Sequence, residues 1–308
     1  MVLIVTHKKD YTADFVINKL NQQGLAYRRL NCEDLVNSKF AFQIERDFEF
    51  EFGQTSKFNS GWFRRTKLPS LNIDSEEERH YLLAEYDALV RNVLNSVDCK
   101  WLSEPYRIYR AENKTLQLRE AKEIGLNVPA TIITNDKSKI KAFYKRYNKN
   151  IIVKPIARNR IDYSKHSGFI FTNKVNSGLI ASIEEFDINP CIFQENIDKD
   201  CEIRATVVGD QIFAAVCYSQ KQNETRIDWR RSKLTFEKTD LPKEVAQMCI
   251  ALTKKLHLRF GAIDLIKTKK GEYCFLEINP NGQWAWIELQ TGQNIAEAII
   301  EILYGQNN

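Results

Sequence analysis

The stretch FGAIDLIKTKKGEYCFLEINPNG, Phe260–Gly282, reads as two strands joined by a turn at Lys270-Gly271. Asp264 lies on the first strand, and Glu277 and Asn279 on the second. Strand residues two apart point to one face, so Glu277 and Asn279 share a side. A turn centred on Lys270-Gly271 puts Asp264 opposite Glu277, and facing positions on paired strands have Cβ atoms roughly 4.5–5.5 Å apart. Two carboxylates held that close repel and raise each other's pKa. A hard divalent cation removes the repulsion, and Asp, Glu and an Asn carbonyl are oxygen ligands suited to Mg²⁺. One hairpin supplies few ligands, which leaves room for water and for phosphate oxygens. Ala262, Ile263, Leu265, Phe275, Leu276 and Ile278 mark both strands as buried rather than as a solvated edge hairpin.

The 308 residues, 43% hydrophobic, suffice for two or three lobes with proper cores. No apolar run is long enough for a membrane span. The opening MVLIVTHKKDYTADF is too short in apolar length for a signal peptide and reads as a first buried strand. Seven scattered Cys, with no C-x-x-C, point to reduced thiols in a cytoplasmic protein. The four His residues are isolated and form no nucleophile-base pair. A net charge of +5 suits a nucleotide or an acidic peptide, and no nucleic-acid-binding signature is present.

Along the chain, Val2–Val5 reads as a buried strand, with Thr12 capping the following helix and Gly24 ending it. Ala26–Leu30 resumes as a strand, so the chain opens β-α-β. Gln43–Phe52 alternates as one strand with a wet face, and Gly61–Arg65 is a further strand. Residues 76–97 carry a long amphipathic helix. Lys114–Ile124 is a helix ended by Gly125, and Asn135 or Asp136 caps a helix running to about Tyr147. Ile151–Pro155 is a strand, Asn159–Ser167 a polar, basic, mobile loop, and Phe169–Thr172 a strand. CIFQENI is a strand, and Cys201–Val208 pairs with Gln211–Tyr218 across Gly209-Asp210. Pro242–Leu256 and Ile295–Leu303 are helices. The fold class is α/β (α+β), divided as 1–112, 113–190 and 191–308.

Lys154 stands in an apolar strand, where an ammonium needs an anion, either a phosphate or a buried carboxylate. Arg204 lies on the polar face of its strand with Glu202 and Thr206, where a cross-strand ion pair is the alternative role. Gln194-Glu195-Asn196-Ile197 leaves an apolar run, where its backbone suits a purine edge and Ile197 its face.

The order of these pieces is more specific than any one of them. Asn-Lys at 113–114, V-K-P, Q-E-x-I, E-I-R-x-T-V-V-G-D, G-A-I-D and L-E-I-N-P-N-G resemble, in sequence order, the ATP-grasp superfamily from Asn113 onward. The resemblance implies an ATP-grasp fold, with a small N-terminal α/β lobe and two α+β lobes enclosing ATP. It implies ligation of a carboxylate to a nucleophile through an acyl phosphate. Carried over, Lys114 and Lys154 bind phosphates, and Glu195 and Ile197 frame adenine, with Glu202 a further nucleotide contact. Asp264, Glu277 and Asn279 hold Mg²⁺, expected as two ions. Arg204 steadies the transferring phosphoryl group, which makes Arg204 and Lys154 the catalytic cations.

Within the superfamily the chain resembles the graspetide ligases, the microviridin-type peptide maturases. The carrying segments are I-V-T-H-K-x-D-Y-T-A-D, the W-F-R-R of Trp62–Arg65, the I-D-W-R of Ile227–Arg230 and N-P-N-G-Q-W-A-W-I-E-L-Q-T-G. Those enzymes join Asp or Glu side chains of a precursor peptide, built of leader and acidic core, to Ser, Thr or Lys side chains. The products are macrolactones or macrolactams. I-D-W-R is also similar to the D-F-R segment of ribosomal-protein glutamate ligases, but the Gly-rich stretch that follows there is missing here. An acidic substrate calls for cations not used on ATP. Arg230 and then Arg226 are the expected substrate contacts, because Arg pairs with carboxylates through a planar fork. The alternative activity is addition of a free amino acid to a protein or small-molecule carboxylate. A non-catalytic binding module is the third reading, disfavoured by the intact set Lys154, Arg204, Asp264, Glu277 and Asn279. No general base is identifiable, and a homodimer is left open.

Overall fold

The computed structural model describes residues 1–45, 48–52, 57–157, 160–162 and 167–305. The chain opens β1 (Val2–Thr6), α1 (Tyr11–Gln22), β2 (Tyr27–Asn31), β3 (Phe40–Ile44), β4 (Phe48–Phe52), β5 (Ser60–Phe63), α2 (Glu76–Ser96), β6 (Lys100–Trp101) and α3 (Pro105–Ala111). Strands in the order β2-β1-β5-β6 form a parallel sheet. Every residue of β1 is buried, as expected for a parallel strand covered on both faces.

Two expectations for this region are corrected. Asp10, not Thr12, caps α1: Asp10 Oδ1 accepts from Thr12 N at 3.1 Å and Ala13 N at 3.4 Å. A cap of this kind contributes about 1 kcal/mol. Thr12 lies in the first turn, where its hydroxyl donates to Gln283. The run Gln43–Phe52 is split between β3 and β4, which pair antiparallel with Ile44 opposite Phe48. Alternation has the same period on both arms of a hairpin, so the pattern hides the turn. Phe42 and Phe50 stack across it at 4.9 Å.

Helix α4 (Lys114–Ile124) follows, capped by Asn113 and stopped by Gly125 at φ +102°, a backbone conformation natural to glycine. Then come β7 (Thr131–Thr134), α5 (Lys137–Arg146), β8 (Ile151–Lys154), β9 (Arg160–Asp162), β10 (Ser167–Phe169), β11 (Asn173–Lys174), α6 (Ser177–Ala181) and β12 (Cys191–Glu195). The central sheet runs β11-β8-β12-β7, all antiparallel. It packs on its own small core of Ile140, Tyr144, Ile151, Val175, Ile183 and Phe193.

The Asn159–Ser167 loop contains paired strand: β9 and β10 form a hairpin with Ser167 opposite Asp162. Its tip, 163–166, with Lys165 and His166, lies outside the described residues, as do residues 158 and 159. Phe169–Thr172 is not one strand. Phe169 ends β10, and Thr172 N is bonded to Asp228 Oδ2 at 3.0 Å instead of to a ladder.

The remainder is β13 (Lys199–Val208), β14 (Gln211–Cys217), β15 (Glu237–Thr239), α7 (Lys243–Lys255), β16 (Phe260–Thr268), β17 (Tyr273–Asn279), α8 (Ala285–Thr291) and α9 (Ile295–Tyr304). Strands β15-β14-β13-β16-β17 make an antiparallel sheet. Ile203, Ala205 and Val207 of β13 face the core, and Arg204 faces away from it. Two placements differ from the tripartite division. Strand β12 belongs to the central sheet although it begins at Cys191. Helix α4 packs on β17 and α7 rather than on the central sheet.

The hairpin β16-β17 pairs Asp264 with Glu277, as the spacing requires, but by an indirect route. The turn closes from Thr268 to Glu272, with Thr268 N bonded to Glu272 O at 2.8 Å. That turn alone would place Leu276 opposite Asp264. A bulge between Leu265 and Asp264 takes up one residue and restores the register, with Leu265 facing Phe275 and Asp264 facing Glu277.

Candidate functional site

A cleft of about 1340 Å³ runs between the sheets. Its floor is a row across three strands: Arg204 of β13 opposite Asp264 of β16, which is opposite Glu277 of β17. Alternation keeps Asn279 on the same face as Glu277. Each carboxylate oxygen faces a protein donor. Arg204 Nε lies 2.9 Å from Asp264 Oδ1, and Lys114 Nζ lies 2.8 Å from Glu277 Oε2. Asn279 Nδ2 donates to Asp264 Oδ2 at 3.3 Å and to Glu277 Oε1 at 3.2 Å. The Arg204 contact is an ion pair without hydrogen-bond alignment, since Nε has no bonded acceptor.

The two acids are driven apart. Burial pushes Asp264 up to about 6, against the pull of Arg204 and with the help of the Glu277 charge. Burial would also raise Glu277, but Lys114 and Lys154 outweigh it and hold that carboxyl well below the usual range.

Lys154 ends β8 and lines the cleft. Burial depresses its ammonium, opposed by Glu277 and reinforced by the neighbouring charges of Lys114 and Arg230. Among the described residues no carboxylate lies within ion-pair distance of it, which is the setting expected for an ammonium that meets an external anion. Lys114 begins α4 and does have a carboxylate, Glu277. Glu195 and Ile197 line the same cleft at the end of β12 and just beyond it. Glu202 also lines it, but its Oε1 is taken by buried Lys199 Nζ at 2.8 Å. Lys199 further donates to Ile227 O at 3.2 Å, tying β13 to the segment that leads to Arg230.

Arg230 lines the cleft, with its guanidinium forked onto Asp228: Nε to Oδ1 at 2.8 Å and Nη2 to Oδ2 at 2.6 Å. Asp228 is buried. Burial alone would raise its carboxyl, but Arg230 and the Thr172 and Arg230 backbone amides hold it below the ordinary range. Arg226 is not among the residues lining the cleft. It is exposed, with Nε donating to Gln220 O at 3.4 Å. Its neighbour Thr225 is the buried one, so the side chain two residues before Asp228 turns outward.

Sequence reasoning missed Gln117, Lys199 and the placement of Arg64 and Arg65. Gln117 of α4 bonds both backbone groups of Ile278, between Glu277 and Asn279. No pattern in one helix announces a partner 161 residues away. Lys199 carried a faint signal, three residues before Glu202 at the start of a strand.

Two carboxylates and an amide on one face form a hard-oxygen donor set that fits Mg²⁺. The Asn279 amide would present its carbonyl oxygen, rather than Nδ2, on rotation about its terminal bond. Two carboxylates and one amide leave coordination positions of an octahedral ion open to water or phosphate oxygens. An ion held here would supply charge neutralisation for phosphoryl transfer.

A family model for the RimK-like ATP-grasp domain matches residues 111–303. The chain belongs to the RimK-like ATP-grasp family. It is an ATP-grasp ligase, and ligases of this fold use ATP with Mg²⁺. The ligase is 26% identical over 248 residues to a probable alpha-L-glutamate ligase of Haemophilus influenzae, covering 75% of this chain and 80% of that one. Its fold matches the macrocyclase MdnC of Microcystis aeruginosa, bound with precursor peptide MdnA, at TM-score 0.87 and 29% identity over 99% of both chains. It also matches a Chryseobacterium gregarium RiPP-associated ATP-grasp ligase in complex with ADP and a leader and core peptide. There the TM-score is 0.89 at 26% identity, over 100% of this chain and 97% of that one. No helix among the described residues is long and apolar enough to cross a membrane.

Proposed function

We propose that this ligase activates Asp or Glu side chains of a ribosomal precursor peptide as acyl phosphates. It then joins them to Ser, Thr or Lys side chains, closing macrolactones or macrolactams. The observation that carries this reading is likeness over the whole length. The macrocyclase MdnC, bound with its precursor peptide, matches at TM-score 0.87 and 29% identity over 99% of the chain, including the N-terminal α/β part. The size of the cleft agrees: about 1340 Å³ exceeds the roughly 300–1,000 Å³ of ordinary small-molecule sites.

In the first step a substrate carboxylate oxygen attacks the γ-phosphorus and the bond to the β-phosphate oxygen breaks, releasing ADP. In the second a hydroxyl or amine attacks the acyl carbon, loses its proton and expels phosphate. Lys154, Lys114 and Arg204 line the phosphate path, where positioning and charge stabilisation make up most of the catalysis. Asp264, Glu277 and Asn279 are proposed to hold two Mg²⁺ ions. Glu195 and Ile197 frame adenine, and Glu202 contacts the nucleotide. Arg230 is the proposed contact to an acidic substrate residue. Arg226 is withdrawn from that role by its outward placement. We place the enzyme in the cytoplasm, in keeping with seven unpaired thiols, and keep the divisions 1–112, 113–190 and 191–308 as an outline, with β12 moved to the central part.

The 26% likeness to a probable alpha-L-glutamate ligase favours a second reading, addition of a free amino acid to a carboxylate. Coexpression with a short acidic peptide encoded nearby separates the two by mass. Loss of one water per ring supports the macrocyclase, and gain of an amino-acid residue supports the ligase of free amino acids. An unchanged peptide mass counts against both.

A further inference from the structure

Two guanidiniums converge on one carbonyl at the N-terminal wall of the cleft. Arg64 Nη1 donates to Asn281 O at 3.1 Å and to Gly282 O at 3.4 Å, and Arg65 Nη2 donates to the same Asn281 O at 3.3 Å. Arg64 is 1% exposed, its Nε faces Asp10 Oδ2 at 3.3 Å, and its Nη2 is buried with no acceptor. Both arginines line the cleft. Asn281 lies two residues beyond Asn279, so the pair stands beside the carboxylate row.

A buried N–H of a charged group without an acceptor is costly, and native structures keep such groups where a ligand completes them. Two like charges meeting on a single neutral oxygen add to the local demand for an anion. Of the other cations lining the cleft, Lys154 is assigned above to the phosphates, and others face carboxylates of the protein. Lys114 faces Glu277, Arg204 faces Asp264, and the fork of Arg230 is closed by Asp228. Paired guanidinium N–H groups match the two oxygens of a carboxylate.

We propose that Arg64 and Arg65 form a carboxylate subsite that seats the acidic side chain of the substrate next to the Asp264–Glu277–Asn279 face. This inference rests on the carboxylate-activating reading above and adds to Arg230 a second contact for an acidic side chain. Arg65, exposed at the cleft wall, makes first contact, and the buried Arg64 Nη2 fixes the orientation of the seated group.

The test uses N-acetyl-L-glutamate α-amide as probe, titrated calorimetrically into the full-length protein, with a non-hydrolysable ATP analogue titrated in parallel. Arg65→Ala should weaken the probe by about tenfold or more while analogue affinity stays within experimental error. Arg64→Lys, which keeps the charge and loses the second fork nitrogen, should weaken it as well. If that variant does not fold, the exposed Arg65 carries the test. Three results overturn the subsite: no probe binding by the wild type, wild-type affinity in Arg65→Ala, or a parallel fall in analogue affinity, which would assign the arginines to phosphate. A separate arm adds ATP, Mg²⁺ and hydroxylamine, which captures an acyl phosphate as hydroxamate with release of phosphate. Arg65-dependent probe binding with no hydroxamate leaves the subsite standing and sinks the carboxylate-activating reading.

Discussion

Gln117 and Ile278 exchange two hydrogen bonds: Gln117 Nε2 donates to Ile278 O at 2.8 Å, and Ile278 N donates to Gln117 Oε1 at 3.2 Å. The side-chain amide stands in for a neighbouring strand at the sheet edge. It anchors the one residue that separates Glu277 from Asn279. Gln117 is itself buried, and its Nε2 also reaches Ala111 O at 2.6 Å.

Gln117→Ala should therefore lower stability by about 1–3 kcal/mol, because it strands buried backbone groups of Ile278. It should also loosen the Glu277–Asn279 face. Chemical denaturation reads the first effect and Mg²⁺ dependence of turnover the second. A variant as stable as the parent would show that water replaces the amide at no cost.

Lys154→Met should weaken a non-hydrolysable ATP analogue while leaving the ligand-free melting temperature level or higher. Burial already disfavours the Lys154 charge, so removing it relieves the fold and takes away only the external anion's partner. Undiminished analogue affinity would remove Lys154 from the phosphate site.

A Cβ on Gly282 would stand 2.5 Å from Ala262 Cβ and 3.2 Å from Asn279 Cβ. Gly282→Ala should cost about 1–3 kcal/mol through overpacking and displace Asn279, so ligation should fall further than folding. Parent-level turnover at saturating Mg²⁺ would refute the close approach.

Two buried acids predict acid sensitivity. Burial alone would raise Asp10, but the Arg64 charge and bonds from Thr6 and Arg64 hold it below its ordinary 3.8, and Asp228 is likewise held low by Arg230. A depressed carboxyl contributes stability that is complete above the unfolded value and is lost as pH falls through the folded one. The melting temperature should decline below about pH 4. Asp10→Asn should start lower and decline less steeply. Equal slopes in parent and variant would show that Asp10 does not carry the effect.

Arg230→Lys should lose peptide ligation with ATP affinity retained, since an ammonium cannot reproduce the paired contact of a fork. Mass spectrometry of the peptide and analogue titration check the two halves. A parallel fall in ATP affinity would move Arg230 to the nucleotide side.

Much of the site was legible because its signal is local. Asp264, Glu277 and Asn279 sit on one hairpin, whose period-2 alternation puts them on one face. The right pairing even emerged from a turn and a bulge that cancel each other in register. Lys154 betrayed itself as a charge in an apolar strand. The outward placement of Arg226 was not legible, because a polar segment outside regular structure has no period from which facing can be read. Gln43–Phe52 was misread because both arms of a hairpin repeat the same alternation.

By itself, the sequence determined the elements and the order of the motifs. Strand and helix periodicity, caps such as Asn113 and Asp136, and breakers such as Gly125 act over a few neighbouring residues. Only the tertiary structure decided which side chains complete the site. Gln117 meets Ile278 across 161 positions, and Arg64 meets Asn281 across 217. Arg230 lies closed onto Asp228, whose other bond reaches back to Thr172. Such meetings are set by how the sheets pack around the cleft, and packing depends on contacts between distant segments that no local pattern encodes.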